Sequence, residues 1–195
     1  MNKKKIIILS LITLLLTIFT IIINITDNNK NILPKYLKSI GFSEIKGTTL
    51  YKKQITSTTE EENNKNIKNN IESEYEIHYF NTKKFEYTKN KITHKNNITK
   101  DYTPTYNYKN NIITYTYRIY YESTNIIFEG EYNIKNKKFT CTPTFYYLVN
   151  IENIKEEICN KIKTESEIFN NEISIFIKDP KTLKYINENI QKKIN

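Results

Sequence analysis

The feature that most constrains this chain is an uninterrupted apolar run near its N-terminus. Residues 6–23 read IIILSLITLLLTIFTIII and contain no charged side chain. Eighteen helical residues extend over roughly 27 Å, which is close to the hydrocarbon thickness of a bilayer. The run therefore predicts that residues 1–26 form a transmembrane helix, followed by residues 27–195 as one domain.

A cleaved signal peptide is the alternative interpretation of this run. Its apolar core would be shorter and would end in small residues at the cleavage site, whereas this run ends in Ile-Ile-Ile-Asn-Ile-Thr. We therefore expect a retained signal anchor. Lys3, Lys4 and Lys5 adjoin the run directly, while Asp27 precedes Lys30 on its other side. The positive-inside rule then predicts a single-pass protein of the cell membrane, with its N-terminus inside and its domain outside.

Five polar residues of the anchor recur every three or four positions and so share one helical face. They are Ser10, Thr13, Thr17, Thr20 and Asn24. Hydroxyl side chains allow membrane helices to approach closely and to form hydrogen bonds with one another. The stripe therefore predicts a homo-oligomer formed through the anchor. The alternative is that each hydroxyl bonds to a carbonyl of its own helix, one turn back.

The formal net charge of +9 does not by itself indicate a nucleic-acid partner. Three of the lysines flank the anchor, and the remaining excess gathers in residues 30–53 and 89–109. A solvated surface accounts for such a distribution. The alternative is attraction to an anionic lipid or an anionic wall polymer.

Residues 27–56 predict a short helix and a possible first strand. Pro34 lies in the first turn of the helical segment and Gly41 just past its end, which is the expected asymmetry of helix termini. Residues 48–56 are the possible strand. Residues 57–73 are rich in Ser, Thr, Glu, Asn and Lys and predict an exposed polar loop.

From Glu74 onward the pattern predicts an antiparallel β-meander with C-terminal helices. Residues 74–79 and 84–87 alternate as a hairpin, a basic loop covers 91–110, and strands follow at 112–122, 126–134 and 138–142. Gly130 indicates a bulge or a close crossing within its strand. We find no repeat of fixed period. A helix is predicted over 151–168, a short β-like segment at 173–177, and a last helix that begins at Asp179-Pro180. Residues 74–195 thus predict an α+β fold.

No residue constellation indicates a named chemistry, and we assign no catalytic, cofactor-binding or metal-binding residue. Three glycines in the whole chain exclude a P-loop and a dinucleotide-binding turn, and a His-Glu-x-x-His zinc helix is missing. His78 and His94 are interpreted as surface histidines. Cys141 and Cys159 both face the predicted core, which suggests a disulfide in an exported domain; two buried thiols are the alternative.

Tyr102, Tyr106 and Tyr108 stand among lysines and suggest a surface that binds a ligand by stacking, although tyrosine is also a favoured strand residue. The preferred hypothesis is a non-enzymatic binding or interaction module with a protein, anionic lipid or wall-polymer partner. The alternative is an extracytoplasmic enzyme that acts through carboxylates on the strands. Its candidate residues are Glu74, Glu76, Glu129 and Glu131.

Overall fold

The computed structural model describes residues 14–18, 31–61, 71–95, 97–121, 124–145, 152–177 and 179–191. Residues 14–18 are helical, and the hydroxyl of Thr17 donates to the carbonyl of Leu14 at 2.8 Å, a bond within the helix. The rest of the predicted anchor and of its polar stripe lies outside the described residues. Among the helices that are described, none has both the length and the apolar character needed to cross a membrane.

The described domain contains one nine-stranded antiparallel sheet and three helices. The strands are β1 (Ser43–Glu44), β2 (Leu50–Glu61), β3 (Ile71–Asn81), β4 (Glu86–Lys95), β5 (Ile98–Asn107), β6 (Ile112–Tyr121), β7 (Thr124–Asn133), β8 (Lys138–Phe139) and β9 (Thr142–Phe145). The helices are α1 (Ile32–Ser39), α2 (Glu152–Phe176) and α3 (Pro180–Gln191). Strands β1 to β8 follow one another across the sheet, and β9 also pairs with β7. The α+β prediction, a β-meander with C-terminal helices, is confirmed.

Three hairpin turns repeat at a fixed interval, which the sequence pattern did not predict. Each turn follows an asparagine, and 26 residues separate Asn81 from Asn107 and again Asn107 from Asn133. The side-chain oxygen of each asparagine accepts a hydrogen bond from the backbone N–H two residues later, at 2.8 to 3.0 Å. Each turn ends in a residue with a left-handed backbone, at Phe85, Asn111 and Lys137. Strands β3 to β8 are therefore built from one repeated hairpin.

The helices pack on one face of the sheet and divide its core into two clusters. Phe169 and Ile173 of α2 join Phe80 and Tyr87 of the first hairpin, together with buried residues of α1 and α3. Ile162, nearer the start of α2, instead packs with aromatic side chains of β5 to β7. The ring of Tyr87 stacks on that of Phe176 with centroids 4.1 Å apart. Aromatic burial of this kind is a large contribution to the stability of the two layers.

Several local predictions hold in detail. Helix α1 ends with Gly41 at a φ of +91°, and the N–H of Phe42 reaches back to the carbonyl of Leu37. Asp179 caps α3, because its carboxylate accepts from the backbone N–H of Thr182 at 2.8 Å. Gly130 lies at a close crossing, where a Cβ atom would collide with the carbonyl oxygen of Thr140.

Three predicted segments are corrected. The backbone of 57–61 and 71–73 is strand rather than polar loop, and the predicted basic loop over 91–110 contains the second half of β4 and all of β5. In β4 and β5, polar side chains are tolerated because one face of the sheet is open and lets them pair across strands. The β-like segment at 173–177 is mainly the end of α2. Ile173 and Ile177 are both buried four residues apart, the spacing of one helical face.

Candidate functional site

The first hairpin of the repeat carries charged residues at positions that hold core aromatics in the second hairpin and, in one case, in the third as well. By the 26-residue register, Glu76 corresponds to the buried Tyr102 and Phe128. In the same way, Lys89 corresponds to Tyr115 and Lys91 to Tyr117, and both of these tyrosines are buried. Charged groups at core positions are costly unless they are paired. Their presence on one side of an otherwise aromatic core marks the candidate site.

A histidine lies at the centre of this polar group, held between a carboxylate and a phenol. His78 Nε2 is 2.7 Å from Glu76 Oε1, and Tyr87 Oη is 2.6 Å from His78 Nδ1. Because a carboxylate only accepts, Nε2 carries the proton and donates to Glu76. Nδ1 then accepts from the hydroxyl of Tyr87. Both ring nitrogens of His78 are occupied.

The charged part of the group continues through Lys89 to helix α2. The ammonium of Lys89 lies 2.9 Å from both carboxylate oxygens of Glu172 and 3.4 Å from Glu76 Oε2. One lysine thus links the sheet to the helix through two carboxylates. We call the five residues Glu76, His78, Tyr87, Lys89 and Glu172 the polar chain.

The local environment fixes the charge states of the polar chain. Burial lowers the pKa of His78 below its ordinary value, and this outweighs the opposing effect of the Glu76 carboxylate, so the imidazole is neutral. Burial alone would raise the pKa of Glu76. The hydrogen bond from His78 and the charge of Lys89 reverse that effect and hold the pKa below its ordinary value. Burial also raises the pKa of Tyr87, so its hydroxyl remains a donor.

The polar chain borders a cleft of about 450 Å³ between β2, α1 and the end of α2. Most of the remaining wall is apolar, and its residues are Tyr36, Ile40, Phe42, Ile55, Ile175 and Phe176. The last lining residue is Lys53, whose ammonium donates to the carbonyl of Ile40 at 2.7 Å. No carboxylate of the described residues forms an ion pair with Lys53. A cleft of this volume falls within the range of roughly 300–1,000 Å³ usual for small-ligand sites.

The tyrosines predicted to form an exposed binding surface lie in the core instead. The hydroxyl of Tyr102 is 3.0 Å from Ser166 Oγ on α2, and the hydroxyl of Tyr106 donates to Asn111 Oδ1 at 2.7 Å. Tyr108 packs against the rings of Phe80 and Tyr106, and its hydroxyl is buried. The prediction of a stacking surface is wrong for all three, because they lie in or against the aromatic core between the sheet and the helices.

The candidate carboxylates of the enzyme hypothesis do not form one site. Glu74 and Glu76 face the helices, and Glu74 pairs with Lys91 at 3.0 Å. Glu129 and Glu131 are exposed and lie beside Gly130, whose own position faces the core. They therefore point to the opposite face of the sheet.

The two cysteines and His94 can also be placed, whereas the prediction that His78 is a surface histidine is wrong, because its side chain is only 13% exposed. Cys141 and Cys159 form a disulfide in the structure that joins the end of the meander to α2. His94 lies near the far end of β4, where Nδ1 is 2.7 Å from Thr99 Oγ1. Within the described ranges, no three His, Cys, Asp or Glu side chains come close enough to hold a metal ion.

Sequence reasoning missed the polar chain because it assigned β3 to the wrong face. Tyr75, Ile77 and Tyr79 form the more apolar set of this strand, yet Glu76 and His78 face the helices. The repeated turn would have revealed this face. Placing Asn81 in register with Asn107 and Asn133 aligns Glu76 with two core aromatics.

Comparison of the chain with protein-family models, with curated proteins and with solved structures finds no match in any of the three.

Proposed function

We propose that this chain is a single-pass membrane protein in which residues 1–26 anchor the β-rich domain outside the cell membrane. We further propose that the domain is a non-enzymatic binding module. The uncharged run of residues 6–23 and the three lysines before it support the anchor and its orientation. The disulfide supports an oxidising compartment, because such bonds persist mainly outside the cytosol.

The observation that supports the binding role is that the key groups of the polar chain are already bonded to one another. A general base needs a free lone pair within reach of a substrate proton, and neither nitrogen of His78 offers one. Glu76 already accepts from His78 and contacts Lys89. The alternative of an enzyme acting through strand carboxylates has no comparable support. The polar chain instead forms a fixed, satisfied wall for a ligand.

The chemistry of the cleft favours a ligand with an apolar part and an anionic group. The apolar wall would take the hydrocarbon or aromatic portion. Lys53 supplies an ammonium that no described carboxylate neutralises, whereas Lys89 is neutralised by Glu76 and Glu172. An anionic group would therefore bind at Lys53. Among protein, wall-polymer and lipid partners, an anionic lipid combines both features.

A tryptophan reporter tests this proposal, because the natural chain contains no tryptophan. Ile175 lines the cleft, while Ile168 is an exposed residue of the same helix that does not line it. Full-length I175W and I168W chains would be placed in nanodiscs of zwitterionic lipid and titrated with octanoate. We expect a saturable blue shift of emission from I175W and no saturable change from I168W.

Two neighbouring lysines provide the control for charge. Lys52 is exposed and lies next to Lys53 in β2, on the other face of the strand. In the I175W chain, K53M should weaken octanoate binding about tenfold, the scale of one charge-assisted hydrogen bond, and K52M should not. Binding of the neutral probe octanol should be insensitive to both changes. The same response in I175W and I168W, or no response in either, would contradict the proposal.

A further inference from the structure

A second, smaller pocket of about 140 Å³ lies between α2 and the strands β4 to β6. Among its lining residues, Lys161 is exposed, whereas Tyr117 is only 6% exposed and Ile162 is buried. The pocket therefore extends from the surface towards the core. Lys91 and Lys100 line it from the neighbouring strands β4 and β5, and Thr93 lies beside them. We call this the lysine pocket.

Four hydrogen-bond donors that line the lysine pocket have no protein partner within the described part of the chain. They are the hydroxyls of Thr93 and Tyr117 and the ammonium groups of Lys100 and Lys161. Tyr117 is only 6% exposed as a whole, while its hydroxyl keeps some contact with solvent and so can donate to a ligand in the pocket. Burial raises the pKa of Tyr117 to about 12, so the hydroxyl stays protonated and available to donate. The pocket thus presents donors that lack an acceptor.

The charges of the lining residues point the same way. Lys91 is paired with Glu74, and Glu165 is the one carboxylate among the described residues that line the pocket. Lys100 and Lys161 are therefore opposed by a single carboxylate. A net positive pocket that is also lined by hydroxyl donors is complementary to an oxyanion.

We propose that the lysine pocket binds a phosphate group, held by the ammonium groups of Lys100 and Lys161 and by the hydroxyls of Tyr117 and Thr93. This site is separate from the cleft beside the polar chain and does not depend on it. A phosphate group could come from free phosphate or from a phosphodiester of a lipid headgroup or a wall polymer. The chemistry at the pocket is the same for both sources.

Isothermal titration of the full-length chain in maltoside detergent tests this site. Inorganic phosphate would be titrated at constant ionic strength, with chloride replacing phosphate in the blank. We expect saturable binding that K100Q weakens about tenfold and Y117F about fivefold, the scales of a charged and a neutral hydrogen bond. E165Q should tighten binding several-fold, because it removes the carboxylate that repels the anion.

The control lysine lies on the same helix. Lys163 is exposed like Lys161 but does not line the pocket, so K163Q should bind phosphate as the natural chain does while K161Q binds more weakly. Y117F also separates binding from folding. Its hydroxyl has no described partner, so this variant should unfold at the natural temperature or slightly above it. A Y117F chain that loses stability without phosphate would mean that the hydroxyl serves the fold.

The source of the phosphate group is resolved by a second titration with glycerophosphoglycerol, a soluble phosphodiester. Binding of both probes assigns the pocket to phosphodiesters, and binding of inorganic phosphate alone assigns it to free phosphate. Absence of binding by either probe would overturn the proposal. Equal phosphate affinity of the natural, K100Q and K161Q chains would overturn it as well.

Discussion

The polar chain predicts that two lysines on the same strand and face contribute very differently to the stability of the fold. The side chains of Lys89 and Glu76 are 16% and 15% exposed, whereas Lys91 and Glu74 are each 38% exposed. K89M leaves the Glu76 carboxylate in a largely buried place without its cation. K91M leaves Glu74 close to solvent, which can replace the lost partner. The two variants remove the same charge from the same strand.

The exposed fractions of these side chains determine how much each variant should lower the free energy of unfolding. Breaking a fully buried ion pair costs roughly 3–5 kcal/mol, and the partial exposure of Lys89 and of Glu172 reduces this to about 2–3 kcal/mol for K89M. The more exposed pair of Lys91 should follow surface ion pairs, so we expect about 0.5 kcal/mol for K91M. Between the two variants the folding equilibrium should differ by at least about tenfold.

Urea unfolding of the full-length chain measures both values. All tyrosines lie after residue 30, so near-ultraviolet circular dichroism of tyrosine follows the domain and not the N-terminal run. The slope of the transition should be unchanged, which shows that the variants alter stability and not compactness. A free energy of unfolding lowered as much by K91M as by K89M would refute the assignment of a buried polar chain.

Three further predictions follow from other parts of the fold. Replacing both Cys141 and Cys159 by serine, which removes a link across 18 residues, should lower stability by about 3 kcal/mol in urea unfolding. Because the folded pKa of His78 is lowered, the unfolded chain binds its proton more readily, and stability should be lost as pH falls below about 6.5. H78Q should reduce this loss between pH 7.5 and 5.5. G130A should cost roughly 2–3 kcal/mol, read from the thermal midpoint, because its Cβ would collide with the backbone of Thr140.

The parts of the fold that the sequence predicted are those whose signals are local. Helix α1 is defined by Pro34 and Gly41 at its ends, and α3 by the Asp179 cap, so each can be inferred without knowledge of the core. Strand β6 could also be predicted from its own residues, because Ile113, Tyr115 and Tyr117 alternate along it and all three are buried. In these segments the local sequence signals and the tertiary contacts favour the same structure.

The face of β3 could not be inferred from the alternation of residues 74–79 alone. Tyr75 and Ile77 are more apolar than Glu76 and His78, so the alternation favours the wrong side. What fixes the face is Phe80, which is fully buried on the same side as His78, together with the hairpin that brings Tyr87 beside it. Because these contacts are made across strands, a single segment cannot show them.

The strand character of residues 91–110 was missed for a related physical reason. Lysine and asparagine are depleted in strands and so obscure the strand pattern, yet one face of this sheet is open and accepts them. On that face, the amide of Asn90 donates to Asp101 at 2.9 Å and to Thr103 at 2.8 Å, and Arg118 contacts Asp101 at 3.2 Å. Pairs between neighbouring strands hold this region together.

The most direct test of the proposed function is protease treatment of intact cells with an enzyme that cannot cross the membrane. We predict that the domain is removed while a fragment carrying residues 1–26 remains in the membrane. Protection of the domain until the membrane is opened would contradict the outward orientation, and with it the assignment of the cleft and of the lysine pocket to an extracytoplasmic partner.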